Sequence, residues 1–122
     1  MNVSTGIDII EVKRIKEKFS KDDNFMKLIF TPFEIEQVKD LEIKYIVLAG
    51  KWASKEAFSK AIGTGIGEEL DWKDMEIRND ITGKPEIIVK ESIVNKYKIK
   101  SLSLSISHVS EYAVASVVLL ID

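Results

Sequence analysis

The stretch Ile43-Lys44-Tyr45-Ile46-Val47-Leu48-Ala49-Gly50-Lys51-Trp52-Ala53-Ser54-Lys55-Glu56-Ala57-Phe58-Ser59-Lys60-Ala61-Ile62, followed by Gly63-Thr64-Gly65-Ile66-Gly67, decides how this chain folds. It holds helical spacing throughout, and the glycine run supplies the left-handed conformations that end helices, so it predicts one long central helix. Ile46, Gly50, Ala53, Ala57 and Ala61 form its apolar stripe, with Glu56 and Lys60 on the edge of that stripe one turn apart. Such a pair is ordinarily a simple helix pair contributing about 0.2 to 0.5 kcal/mol. The smallness of Ala49, Ala53 and Ala57 argues the other way, because it leaves the space beside Glu56 open for a ligand or another chain.

Outward from this helix, the N-terminal side begins with Val3 to Ile10, which reads as a buried strand dominated by Val3, Ile7, Ile9 and Ile10. Val12, Ile15 and Phe19 then recur at helical spacing over about Glu11 to Phe19. After a break near Ser20 to Asn24 comes a short helix through Phe25 to Ile29. Thr31-Pro32-Phe33-Glu34 combines a capping hydroxyl, proline at the first helical position and a glutamate three residues after the cap, so a helix to about Leu41 is expected. On the C-terminal side, Met75 to Arg78 and Glu86 to Val89 read as strands flanking the turn Asp80 to Pro85, and Glu91 to Tyr97 as a short helix. Ser101 to His108 alternates serine with Leu102, Leu104 and Ile106, and Tyr112 to Leu120 is rich in valine, which predicts a closing antiparallel hairpin. The expected class is α+β, an antiparallel sheet packed with a long central helix.

With 122 residues, the chain is expected to form a single domain over residues 1–122. A hydrophobic content of 45% with 31% charged residues is ordinary for a soluble protein, and no apolar run approaches the roughly 20 residues that span a bilayer, so no membrane partner is expected. The N-terminal residues lack the features of a secretory signal, and the absence of cysteine excludes disulfides and thiolate metal sites. A reducing, cytoplasmic location is the easier fit. A net charge of −2 provides no global field that favours nucleic acid, so charge-based recognition has to be local.

Asp8 stands mid-strand, where aspartate is disfavoured and where Ile7 and Ile9 imply burial. An internal hydrogen bond or salt bridge is the plainer account of it. Paired with Glu56, however, it gives two carboxylates, one from a strand and one from a helix. That set is sparse for calcium but suits magnesium, which completes its octahedron with water and substrate phosphate. Zinc is disfavoured, since His108 is the only histidine and thiols are absent. The glycine run follows a helix, whereas phosphate-cradling loops precede one, so by itself it reads as a helix stop. His108 is in phase with Leu102, Leu104 and Ile106, which makes a satisfied core histidine the plainer expectation. No Gly-x-Ser-x-Gly elbow supports a serine nucleophile.

Gly6-Ile7-Asp8-Ile9-Ile10, with Trp52-Ala53-Ser54-Lys55-Glu56-Ala57-Phe58-Ser59-Lys60-Ala61, closely resembles the holo-(acyl carrier protein) synthase family of phosphopantetheinyl transferases. The resemblance extends to Leu48-Ala49-Gly50, to Gly63 through Gly67, to Thr82-Gly83-Lys84-Pro85 and to Ser105-Ile106-Ser107-His108. It implies a phosphopantetheinyl-transferase-like fold and transfer of the 4′-phosphopantetheine arm of coenzyme A to a serine of apo acyl carrier protein, releasing adenosine 3′,5′-bisphosphate, a step of fatty acid biosynthesis. It also implies Mg2+ held by Asp8 and Glu56, with Lys60 near the same phosphates as the third catalytic residue. Lys51, Gly63 and His108 are implied, with Lys60, as coenzyme A contacts; Lys51 departs mildly from members that carry arginine, whose fork binds phosphate two-pronged. Either Glu56 or a water held by the metal would take the serine proton. For the acidic carrier, Arg14, Lys18 and Lys21 line up along one face of the first helix with Lys13 beside them, and Phe25 and Met26 add apolar contact. Small family members form trimers with sites between subunits, and the apolar run Val114 to Ile121 would serve such an interface. The competing expectation is a non-catalytic module that binds nucleotide or carrier protein.

Overall fold

The computed structural model describes residues 1–122. Strand β1 (Asn2–Glu11) leads into α1 (Val12–Lys21), α2 (Asp23–Ile29) and α3 (Pro32–Val38). The long helix α4 (Lys44–Ile62) follows, then a 3-10 turn (Trp72–Asp74), β2 (Met75–Asn79), β3 (Pro85–Val89), α5 (Glu91–Lys96), β4 (Ile99–His108) and β5 (Tyr112–Ile121). The fold is α+β with two antiparallel sheets, one of order β1-β5-β4 and a separate β2-β3 hairpin.

Local chemistry accounts for the boundaries. Thr31 and Glu34 form a reciprocal capping box at the start of α3, with Pro32 at its first position, as the sequence predicts. α3 stops at Val38, short of Leu41. α4 ends at Gly63, whose φ of 86° no β-carbon has to share, and the N–H groups of Gly63, Thr64 and Gly65 converge on the carbonyl of Ser59. The Asp22 carboxylate accepts from the N–H groups of Asn24 and Phe25, which separates α2 from α1.

α4 lies across one face of the three-stranded sheet. Gly6 makes this possible: a β-carbon there would stand 1.9 Å from the carbonyl oxygen of Ala57. The Ser4 hydroxyl donates to the carbonyl of Ala61 nearby. The small residues Ala49, Ala53 and Ala57 are fully buried, so their size does not open space beside Glu56; it lets strand and helix backbones approach. The other side of α4 is buried too, with Leu48, Lys51, Lys55, Phe58 and Ser59 covered by the β2-β3 hairpin and the α1–α3 segment. A helix enclosed on both sides accounts for its weak amphipathicity.

The reading of β1 as a strand buried throughout is corrected. Only Gly6 and Ile10 are buried; Val3, Ile7 and Ile9 face away from α4 and are 68%, 63% and 63% exposed. Strand side chains alternate between faces, and α4 covers just one of them. In β5, Ala113, Ala115, Val117 and Leu119 point to the core, while Tyr112 and Val118 stand exposed on the outer face with Ile7 and Ile9. β4 contributes Ser101, Ser103, Ser105 and Ser107 to that outer face and Leu104 to the core.

Candidate functional site

Asp8 sits on β1, an edge strand, on the face turned toward α4 and paired in register with Ala115. Lys60, from the last turn of α4, donates to the Asp8 carboxylate at 3.1 Å and to the carbonyl of Ile7 at 3.0 Å. The expected pairing of Lys60 with Glu56 gives way to this contact across elements. Lys60 is 53% exposed and Asp8 15% exposed, so the pair looks out on an open cavity of ≈ 620 Å³ lined by Ile7, Asp8, Ile9, Lys60 and Val114.

Glu56 is half-buried one turn before Lys60, and no protein group hydrogen-bonds or ion-pairs its carboxylate. Burial, and next the charge of Asp8, push its pKa above the ordinary carboxylate value, with Lys60 opposing them. Two neighbouring carboxylates, Glu56 unpartnered and Asp8 paired only with the half-open Lys60, form a donor set suited to a hard divalent cation that brings its remaining oxygen ligands from water and phosphate. The residues present therefore fit magnesium. Metal sites built from three or more protein carboxylates, histidines or cysteines are absent.

A second cluster lies in the N-terminal half of α4. Lys51 is only 4% exposed and donates to the side-chain oxygen of Gln37 at 3.0 Å and, more weakly, to the carbonyl of Ile77 at 3.5 Å. Burial lowers its pKa, and the nearby Glu34 carboxylate counteracts that effect. It lines a cavity of ≈ 220 Å³ with Ile46, Val47, Gly50, Asn79, Pro85, Ile106 and His108. His108 is exposed at the end of β4, so the core-histidine expectation is overturned: the strand's inward phase runs out past the sheet's packed region. Lys51 and Lys60 are separated by roughly 13 Å along the helix axis, at the rise of about 1.5 Å per residue. The structure thus brings Asp8, Glu56 and Lys60 together, and separately Lys51 and His108. Gly63 caps α4 three residues after Lys60, and its N–H is taken up by the carbonyls of Ser59 and Lys60.

Helix α1 extends to Lys21, so Lys13, Arg14, Lys18 and Lys21 are all exposed along it. Lys18 is held over the rings of Phe25 and Trp52, 5.3 and 5.7 Å from their centroids. Met26 is buried, and Leu28, 61% exposed, is the apolar residue that α2 presents to solvent.

The sequence reading missed an ion pair at the centre of the molecule. Lys55 and Glu34 are both fully buried and meet at 2.7 Å. Lys55 also donates to the Ile29 carbonyl at 2.8 Å, and Glu34 accepts from the backbone N–H groups of Thr31 and Ile77. The available signal was helical phase: Lys55 shares a face with Leu48 and Ser59, and a charge on a covered face demands a partner.

Comparison with known proteins matches this arrangement to one group. The family model of the 4′-phosphopantetheinyl transferase superfamily covers residues 4–117. A holo-[acyl-carrier-protein] synthase of Shouchella clausii is 44% identical, over 98% of this chain and 98% of its own length. The structure of the Helicobacter pylori holo-[acyl-carrier-protein] synthase in complex with coenzyme A superposes with a TM-score of 0.88 at 36% identity, covering 95% of this chain and 99% of that one. That of the Bacillus anthracis holo-(acyl-carrier-protein) synthase, in complex with CoA (3′,5′-ADP), gives 0.84 at 43% identity, covering 98% and 96%. The chain belongs to the 4′-phosphopantetheinyl transferase superfamily and, within it, to the holo-(acyl carrier protein) synthases.

Proposed function

We infer that this chain transfers the 4′-phosphopantetheine group of coenzyme A to a serine of apo acyl carrier protein, releasing adenosine 3′,5′-bisphosphate and so supplying the holo carrier for fatty acid biosynthesis. The observation that carries the reading is the convergence of Asp8, Glu56 and Lys60 on an open edge, in a chain whose relatives are synthases bound to coenzyme A. A lysine ammonium has three N–H donors. Asp8 and Ile7 occupy two at Lys60, leaving one for an oxygen of the diphosphate. Asp8 and Glu56 would hold Mg2+, which when bound supplies positive charge against the diphosphate and the leaving group. Burial and the charge of Asp8 raise the proton affinity of Glu56, which suits it to accept the serine proton. In the transfer, the serine oxygen–phosphorus bond forms, the bond from phosphorus to the bisphosphate leaving group breaks, and the serine proton passes to Glu56. The chain's share of the work is positioning and charge neutralisation.

Lys51 and His108 are assigned to the nucleotide end of coenzyme A, supported by the cavity they share. Gly63, at the Lys60 end of α4, would contribute to coenzyme A binding only by lacking a side chain, its N–H being taken. Lys13, Arg14, Lys18 and Lys21 are the proposed carrier-docking surface, since an acidic partner needs a local basic face on a protein of net charge −2. A homotrimer is supported by the outer sheet face, where Val3, Ile7, Ile9 and Val118 are exposed in one copy and where Ile7 and Ile9 line the Asp8 cavity. A site shared between subunits also accommodates the separation of the Lys51 and Lys60 clusters. The proposed location is the cytoplasm; no helix is long and apolar enough to cross a membrane. Incubation of an apo carrier with this protein, coenzyme A and magnesium, followed by mass spectrometry, tests the reading. One added phosphopantetheinyl group per carrier is expected; an unmodified carrier, or hydrolysis of coenzyme A without transfer, contradicts it.

A further inference from the structure

Lys51 reaches its cavity through a frame that the reaction itself does not explain. The ammonium is buried, yet no carboxylate lies within ion-pair distance of it. Its position is defined by two neutral acceptors, Gln37 on α3 and the carbonyl of Ile77 on β2. Both acceptors trace back to one group. Gln37 lies one helical turn after Glu34 on α3, and Ile77 donates its N–H to the Glu34 carboxylate at 2.7 Å. That carboxylate also takes Lys55, one turn after Lys51 on α4. Glu34 therefore ties α3, β2 and α4 at a single buried point, and the two neighbours of Lys51 flank it. β2 and β3 then carry Asn79 and Pro85, paired in register, to the wall of the same cavity.

We propose that Glu34 and Gln37 are positioning residues for nucleotide capture: they fix β2 and the Lys51 ammonium so that its remaining N–H meets a phosphate of the nucleotide end, away from the diphosphate handled by Lys60. The inference rests on the assignment of coenzyme A to this site. Burial opposes the charge of Lys51 and Glu34 supports it, in keeping with this role. Adenosine 3′,5′-bisphosphate and adenosine 5′-phosphate differ only by the 3′-phosphate, so calorimetric affinities for the two isolate capture of that group without any turnover.

In Glu34→Gln the advantage of the bisphosphate over the monophosphate is expected to fall about tenfold, as for the loss of one charge-assisted phosphate contact, while kcat at saturating coenzyme A stays within about twofold. Gln37→Ala removes an exposed side chain and does not endanger folding, and it should reduce the same advantage about threefold. The double variant E34Q/K55M exchanges the buried pair for neutral groups of similar volume, a change that folds are able to accept, and should reproduce the single Glu34 defect. Equal weakening of both nucleotides, a kcat loss as large as the loss in kcat/KM, or an unchanged preference in Gln37→Ala and E34Q/K55M would each overturn the proposal. A wild type that prefers the bisphosphate but leaves the carrier unmodified would instead sink the transferase reading and leave this one standing. No wild-type preference would sink this one alone.

Discussion

Lys55 and Lys60 stand on the same helix, and each forms an ion pair with a carboxylate from another element, at 2.7 Å to Glu34 and 3.1 Å to Asp8. Their surroundings make them different objects. Both members of the first pair are fully buried: Lys55 also donates to the Ile29 carbonyl and lies 5.4 Å from the Phe30 ring centroid, and Glu34 accepts from the backbone N–H groups of Thr31 and Ile77. In the second pair Lys60 is half open to solvent, a donor is left over, and the unpartnered Glu56 lies nearby. An enclosed pair specifies one arrangement of elements; a half-open pair at an edge, beside an unpartnered carboxylate, is poised for a ligand. The same chemistry serves as scaffold or as site according to how far the protein encloses it.

The comparison is broken most severely by splitting the buried pair. Lys55→Ala should destabilise the fold by about 3 to 5 kcal/mol, because it leaves the Glu34 charge buried without its partner. Urea unfolding checks this, and a loss below about 1 kcal/mol would show that water reaches the pair. Lys60→Ala is the matching experiment on the open pair. It should cost about a hundredfold in transfer rate, the scale of one lost charge-stabilising donor, yet less than about 1 kcal/mol of stability. Comparable small losses in both assays would return Lys60 to a surface role. The smallest effect is expected at the docking face. Arg14→Glu should raise KM for the carrier about three- to tenfold and leave KM for coenzyme A nearly unchanged, with the defect fading by roughly 0.5 M salt, where the screening length is about 4 Å. A defect indifferent to salt would move Arg14 out of the docking surface.

Much of the fold was legible because its signals are local. The α3 capping box, the Gly63 stop and the alternation of β4 each lie within a few residues of one another. Asp8 and Glu56 were legible as candidates because charge in small or apolar surroundings is conspicuous. The outward turn of Val3, Ile7 and Ile9 was not, since alternation shows that a strand has two faces without showing which one a helix covers. The Glu34–Lys55 pair escaped for a related reason. Glu34 already had a local role in its cap, and its second role depends on Ile77 and Lys55, which only the tertiary fold brings to it.

The central claim, that Glu56 is kept unsatisfied by the protein because the reaction needs it, is tested most directly by measuring Glu56→Gln for transfer and for thermal unfolding in the same preparation. Burial and Asp8 raise its pKa in the folded state above the unfolded value, so the ionised carboxylate opposes folding at neutral pH, and the opposition disappears as pH falls through that raised range. The account predicts that Glu56→Gln loses at least about a hundredfold in transfer with magnesium present, the scale seen when a charge acting in the transition state is removed. With a chelator in place of magnesium it should melt at or above the wild-type temperature at neutral pH, the difference shrinking in acid. Transfer near the wild-type rate, or a melting temperature well below wild type at neutral pH, would contradict it.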